Sequence, residues 1–358
     1  MFHVTVLFLN GGCASTAILP TEIFRFAGVF WNLLRETRVE PAFRVTTASA
    51  DGRAAVMDRL VSISPACAVA DVERPDLVFV PAGGLPVEDL VETGYLIDEV
   101  IARNAAIVPW LRRWADDGAR IAGVCSGVAL IAQAGLLDGK QATTHWALDA
   151  VYRDRFPNVD WQTDRLITDA GDVYCGGGIN AAADLALYLV EKFGSRAIAL
   201  ECAKSLLIEM PRALQLTFAQ GGLRRPHGDA AIASAEDWLH ANFTQPVNLE
   251  ALAAQLAMSP RNFVRRFKTA TGHTPREYLQ GLRVAAAKHH LETGRRTVQQ
   301  VCDAVGYRDP IFFRNLFRRY TGLCPARYRE RFGAWAPIAP AAGRAKAQRE
   351  RASSRSML

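Results

Sequence analysis

The sequence predicts a mostly parallel α/β domain followed by an all-α domain that carries two helix-turn-helix motifs. Three observations lead there. Residues 1 to about 200 alternate short apolar runs with amphipathic stretches, as strands covered on both faces by helices do. Residues 247–332 superpose on themselves at an offset of 50 residues. Charge divides between the two parts: residues 1–220 carry 19 Lys+Arg against 26 Asp+Glu, and residues 221–358 carry 23 against 10. A net of −7 joined to a net of +13 is the electrostatic footprint of a nucleic-acid-binding module on an acidic companion.

A length of 358 residues fits two domains, and a half-hydrophobic, 22% charged composition is that of a soluble globular protein. The seven cysteines (13, 67, 125, 175, 202, 302 and 324) are odd in number and contain no C-x-x-C pair. This predicts neither a disulfide framework nor a zinc site, and points to a reducing compartment. The N-terminus has no basic n-region, its 4–9 run reads as a buried strand, and no apolar run approaches the ~20 residues that span a bilayer. The expectation is a cytoplasmic protein with no membrane association, metal or cofactor.

Strands are expected at 3–9, 43–48, 77–80, 120–124 and 173–175, and helices at 22–35, 107–117, 128–133, 147–155 and 181–193. The domain reading is 1–200 for an effector and dimerisation domain and 201–229 for a connecting helix and linker. It continues with 230–333 for the DNA-binding domain and 334–358 for a basic, disordered tail rich in Ala, Pro, Arg and Ser.

In the repeat, Ala254 meets Ala304, Pro260 meets Pro310, Phe263 meets Phe313 and Phe267 meets Phe317. Thr271-Gly272 meets Thr321-Gly322, Pro275 meets Pro325, and Tyr278 meets Tyr328. Two copies are too few for a solenoid, so two similar supersecondary units follow. In the first, Asn248 caps a helix with Leu249, Leu252, Ala253 and Leu256 on its apolar face. After the turn Ala257-Met258-Ser259, Ser259 caps a second helix with Pro260 at its first position, where the missing N–H costs nothing. Phe263 and Phe267 face inward, Arg261, Asn262, Arg265, Arg266 and Lys268 occupy the other faces, and Gly272 ends the helix. The second copy runs over 298–305, the turn Gly306-Tyr307-Arg308, and a helix over 310–320 capped by Asp309 that exposes Arg314, Asn315, Arg318 and Arg319. A longer helix at 275–293 connects them. Helix, short turn and capped basic helix form the helix-turn-helix pattern.

The strings L-A-A-Q-L-A-M-S-P-R-N-F-V-R-R-F-K and V-C-D-A-V-G-Y-R-D-P-I-F-F-R-N-L-F-R-R-Y-T-G resemble the AraC/XylS family of transcription regulators over about 100 residues. The resemblance implies that both second helices enter successive major grooves. Carried over by position, Arg261, Val264 and Arg265 face bases in one groove and Ile311, Arg314 and Asn315 in the other, with Asn262 on the same surface. Arg reads guanine and Asn adenine by bidentate bonds. Arg266, Lys268, Arg318 and Arg319 are expected on phosphate, adding affinity without sequence information.

In the first domain, Cys125 lies between a strand and a helix, flanked by Gly123 and Gly127 in a G-x-C-x-G turn. Such a turn reads as a nucleophile elbow, with the helix N-terminus expected to lower the thiol pKa. His145, in Thr143-Thr144-His145-Trp146, is the expected base or orienting partner, and Pro81-Ala82-Gly83-Gly84 after a strand offers N–H groups for an oxyanion hole. These strings, together with G-G-G-I-N-A-A-A-D-L-A-L, resemble the PfpI-like class I glutamine amidotransferase superfamily, and within it the GlxA-type regulators. The resemblance implies a flavodoxin-like sandwich, dimeric through this domain. One departure stands out: Thr16 occupies the place of the family's acidic residue, and Glu22 lies on the following helix.

Without that acid, Cys125 and His145 are read as vestiges of catalysis within an effector pocket that also includes Gly83, Gly84, Ser126 and Trp146. The expected partners are double-stranded DNA, a small effector (a nitrogenous metabolite by resemblance), a second copy of the chain, and RNA polymerase if the protein activates. The alternatives are a cysteine-dependent amidase or glyoxalase-like enzyme with a DNA-binding appendage, and a Cys125 oxidation sensor.

Overall fold

A computed structural model describes residues 1–57, 61–84, 96–209, 227–294 and 296–332. These form two compact units whose division falls between residues 209 and 227. Most of the expected linker and the tail at 334–358 lie outside the described residues.

The first unit is built on a seven-stranded sheet. Its strands are β1 (Phe2–Leu7), β2 (Phe43–Ser49), β3 (Cys67–Ala68), β4 (Leu77–Val80), β5 (Arg120–Val124), β6 (Ile167–Asp169) and β7 (Val173–Gly176). They lie in the order β6-β7-β5-β4-β1-β2-β3, all parallel except the β6–β7 pair. The central run β2-β1-β4-β5-β7 is the flavodoxin-like order.

The near-continuous apolar strands have a simple physical origin, since each buries both faces. Val4, Val6, Leu77, Phe79, Ala122, Val124 and Tyr174 enter one core, beneath helices α1 (Ser15–Phe26) and α7 (Ala181–Phe193). Leu7, Val78, Val80, Ile121, Val173 and Cys175 enter the other. That face is covered by α4 (Val108–Asp116), α5 (Val128–Gln133) and α6 (Asp149–Arg155), with α3 (Ile97–Arg103) beside them. The chain leaves β1 toward β2 and then returns across it to β4. The carboxyl ends of β1 and β4 therefore form the topological switch point, where open α/β sheets place their ligands.

The helix expected at 22–35 is two helices, α1 and α2 (Phe30–Leu34). Gly28 separates them at φ +76°, where a Cβ would lie 2.2 Å from the Glu40 carbonyl oxygen. Helix α8 (Arg196–Ser205) runs across residue 200 and buries Ala199, Cys202 and Ala203 in the first core.

The second unit is all helix: α9 (Ala230–Asn242), α10 (Leu249–Gln255), α11 (Pro260–Thr271), α12 (Pro275–Thr293), α13 (Val298–Ala304), α14 (Pro310–Thr321) and α15 (Pro325–Phe332). The caps are local and explain the boundaries. Asn248 accepts from the Glu250 and Ala251 N–H groups, Ser259 from Asn262, and Asp309 from Ile311 and Phe312. Each cap contributes about 1 kcal/mol. Thr274 and Thr297 complete capping boxes with Glu277 and Gln300. Gly272 ends α11 at φ +82° in the left-handed region.

Candidate DNA-reading surface and effector site

The 50-residue repeat builds two aromatic cores of one design. Phe263 and Phe267 pack with ring centroids 5.5 Å apart, and Tyr278 closes on Phe267 edge-on at 5.3 Å. In the second copy Phe313 and Phe317 lie 5.8 Å apart, with Tyr328 edge-on at 5.3 Å. All four phenylalanines are buried. The i, i+4 spacing that turns these rings inward turns positions 261, 264, 265 and 268 of α11 outward, and 311, 314, 315 and 318 of α14.

Arg261, Arg265, Lys268, Arg314, Asn315, Arg318 and Arg319 are exposed, and Asn262 is half-buried. Val264 is 43% and Ile311 68% exposed, each an aliphatic side chain set among cations. Such placement suits contact with a thymine methyl between phosphate-seeking charges. Arg265 donates to Asn262 Oδ1 at 2.9 Å, and Arg319 donates to Gln280 Oε1 at 2.9 Å.

Arg266 is placed differently from its expected role on phosphate. Its Nε and Nη2 grip both carboxylate oxygens of Asp229, at 3.0 and 2.8 Å, while Asp229 caps α9 through the Ile232 N–H. The repeat gives the reason: position 266 corresponds to Leu316, which is buried in the second copy. Arg266 therefore lies on the flank toward α9 and holds Asp229's carboxyl below the usual carboxylate range. Arg266→Gln is expected to leave the slope of log affinity against log salt unchanged, whereas Lys268→Gln should flatten it by about one. Gel-shift titrations from 50 to 200 mM salt measure both slopes, and a flattened Arg266→Gln slope would return Arg266 to the phosphates.

In the α/β unit, Cys125 follows β5 at φ +53°, the strained conformation of an elbow. The turn is locked from all sides. A Cβ on Gly127 would lie 2.0 Å from the Pro81 carbonyl oxygen, and one on Gly123 would lie 2.4 Å from Ile131 Cδ1. Ser126 Oγ donates to the Gly83 carbonyl, Thr144 Oγ1 to the Cys125 carbonyl at 2.9 Å, and Tyr152 to the Ser126 carbonyl at 3.1 Å. Gly83, Gly84, Cys125 and Ser126 are thus brought together and buried, with half-buried His145 and Trp146 following Thr144. The His145 and Trp146 ring centroids lie 5.3 Å apart.

The site differs from the expected activated elbow at three points. First, the expected depression of the thiol pKa is reversed. Burial pushes Cys125 up to about 11, outweighing the hydrogen bond from the Ser126 backbone, and α5 behind it is a short helix of 6 residues. Second, Thr16 is buried in the acid's place, donating to the Cys13 carbonyl at 2.7 Å and accepting from the Ala82 N–H at 3.0 Å. One N–H of the expected oxyanion loop is therefore already satisfied, and Glu22 is exposed on α1. Third, His145 Nδ1 accepts from the Ala147 N–H at 3.1 Å. That bond assigns the proton of the neutral ring to Nε2, leaving a donor there, and burial lowers the His145 pKa in agreement.

Sequence reasoning missed three groups that shape the site. Gly11 and Gly12 after β1 take φ +73° and +87°, with would-be Cβ atoms 1.9 Å from the Gly84 oxygen and 2.2 Å from the Ala82 oxygen. Asn104 exchanges bonds with Asn10 across this loop, at 2.9 and 3.0 Å. The Asn10-Gly11-Gly12 run at a strand end was a readable signal, whereas nothing local marked Asn104 or Tyr152.

A helix-turn-helix unit following an elbow-bearing α/β unit defines a class of protein, the DNA-binding transcription regulators with a DJ-1/PfpI-type α/β domain. Residues 27–192 match the DJ-1/PfpI family and residues 252–331 a helix-turn-helix domain family. The chain thus carries a DJ-1/PfpI-type domain followed by an AraC-type helix-turn-helix domain, and it is a DNA-binding transcription regulator. It is 25% identical to the HTH-type transcriptional regulator CdhR of Pseudomonas aeruginosa, over 84% of this chain and 86% of that protein. It is likewise 25% identical to the regulator GlxA of Rhizobium meliloti, over 82% and 87%. With the regulator GbdR of P. aeruginosa the identity is 26%, over 79% and 74%. No helix among the described residues is long and apolar enough to cross a membrane.

Proposed function

We propose that the protein is a one-component, cytoplasmic regulator whose α/β domain (1–200) binds a small metabolite without turning it over and thereby biases DNA binding by residues 230–333. The observation that carries this reading is the burial of Cys125 in the elbow, 8% exposed, which favours the neutral thiol. The rival amidase or glyoxalase-like enzyme and the oxidation sensor both need a thiolate, and at pH 7 a thiol of pKa about 11 supplies very little. Gly83, Gly84, Cys125, Ser126, His145 and Trp146 are the proposed effector contacts, the first four at the carboxyl ends of β4 and β5. A nitrogenous metabolite such as a quaternary amine or an amino acid is the proposed ligand class, and the half-buried Trp146 ring suits a cation. A homodimer through the α/β domain, and RNA polymerase as a contact during activation, complete the reading.

Iodoacetamide at pH 7 is expected to label exposed Cys324 and to spare Cys125. Cys125 labelling should rise about tenfold per pH unit as the medium approaches the thiol pKa. Mass spectrometry of proteolytic peptides assigns each label to its cysteine. A thermal-shift screen of amines and amino acids then identifies the effector, since a ligand of the native state raises the midpoint. Cys125→Ser should retain that shift. A measurable turnover that disappears in Cys125→Ser would instead establish the enzyme.

A further inference from the structure

Two helix-turn-helix units read one operator as a single object only if the angle and distance between them are fixed. One extra base pair moves one half-site by about 3.4 Å along the axis and rotates it by a tenth of a turn. Within the second unit, one side chain links the entry to the first repeat with the second repeat. Arg283, in the middle of α12, is 8% exposed. Its Nε donates to the Phe243 carbonyl at 2.7 Å and its Nη2 to the Gln245 carbonyl at 2.8 Å. Both carbonyls lie between α9 and the first repeat, and Phe243 is the C-cap of α9. A helix C-terminus leaves such carbonyls without helical partners and carries partial negative charge, so a buried guanidinium is well compensated there. The face of the same guanidinium lies over the Tyr307 ring, 4.8 Å from its centroid, in the turn of the second helix-turn-helix. Beside it Gly306, at φ +83°, brings that turn against the 243–245 segment. A Cβ there would lie 2.5 Å from the Thr244 carbonyl oxygen and 3.2 Å from Arg283 Nη2.

The repeat separates this joint from the folding of either copy. Fifty residues upstream, Tyr307 corresponds to Ala257, and Arg283 lies on the helix that connects the two copies. The repeated unit therefore forms its helices and aromatic core without the pair. We infer that Arg283, clamped between the Phe243–Gln245 carbonyls and the Tyr307 ring, is the positioning residue that fixes the spacing of the two reading helices on one operator. This rests on the reading that α11 and α14 engage the same DNA.

The test uses the full chain and a duplex selected with it from a random library, footprinted to locate the two contacted segments. Two derivatives follow, one with a single base pair inserted between the segments and one with a segment scrambled. The wild-type chain is expected to lose roughly tenfold in affinity on insertion. Arg283→Met keeps the apolar stem and removes the guanidinium, and Tyr307→Leu keeps the bulk and removes the ring. Both should lose less than about threefold on insertion while binding the scrambled duplex as the wild type does. Arg283→Lys should restore little of the spacing preference, since one ammonium cannot bridge two carbonyls and stack. The wild-type insertion penalty in a folded variant would overturn the inference, as would an equal loss on all three duplexes. If Arg283→Met fails to fold, Tyr307→Leu decides alone. A wild-type footprint confined to one segment would refute the shared-operator reading itself, and the joint with it.

Discussion

Phe317→Ala is expected to destabilise the DNA-binding unit by about 3–5 kcal/mol, the cost of emptying an aromatic site in a small core. Phe317 is fully buried between Phe313 and Tyr328, and the edge-on contact with Tyr328 is lost along with the volume. Small domains hold only about 5–15 kcal/mol in total, so most of the unit's margin would go. Phe267→Ala should cost a similar amount, because the repeat places it in the same relation to Phe263 and Tyr278. Calorimetric melting of the full chain measures both, and the transition of the α/β unit should not move, since its two cores contain neither residue. A Phe317→Ala midpoint within a few degrees of wild type would show that the aromatic triad is dispensable.

Gly127→Ala is expected to cost at least the upper end of the ~1–3 kcal/mol typical of overpacking. The methyl would lie 2.0 Å from the Pro81 carbonyl oxygen, 2.8 Å from its carbon and 3.0 Å from the Val80 oxygen. These are backbone atoms and cannot swing aside. Relief requires the 81–84 loop to withdraw from the elbow, breaking the bond from Ser126 to Gly83. A fall of roughly 4–10 °C in the midpoint of the α/β unit should follow, together with loss of effector response. Gly135→Ala is the control: its Cβ meets nothing within 4 Å, so only the penalty of φ +75° applies, about 1 kcal/mol. Equal effects of the two substitutions would show that the contact with Pro81 carries no large penalty, since Gly127 itself sits at φ −62°, which any residue adopts.

Where the chain stated its boundaries locally, the sequence was legible. Asn248, Ser259 and Asp309 before Leu249, Pro260 and Pro310 announced three helix starts, and all three were found there. Five central strands could be read, and in β4, β5 and β7 burial on both faces keeps the run largely apolar. The edge strands β3 and β6 were not, since 2 or 3 residues are too few to show a period. Pro20 hid the first half of α1, because a proline so near the start of a helix reads as a boundary. The fold pays one backbone hydrogen bond to keep it, and buries its ring in the first core.

The DNA-binding arrangement was therefore determined by the sequence itself. Caps, prolines, terminal glycines and paired phenylalanines act over a few residues, and repeating them at an offset of 50 leaves little freedom in how each unit folds. The state of Cys125 was not determined there. Its G-x-C-x-G turn is local and promised an activated thiol, but a thiol's pKa depends on what surrounds it. That surrounding comes from Pro81, Thr16 and Thr144, brought in from distant parts of the chain. The surroundings of Arg266 and Arg283 also come from distant parts of the chain. Asp229 lies beside the first, and the Phe243 carbonyl and the Tyr307 ring lie around the second. Helix boundaries follow from neighbours in sequence, whereas charge and protonation follow from neighbours in space.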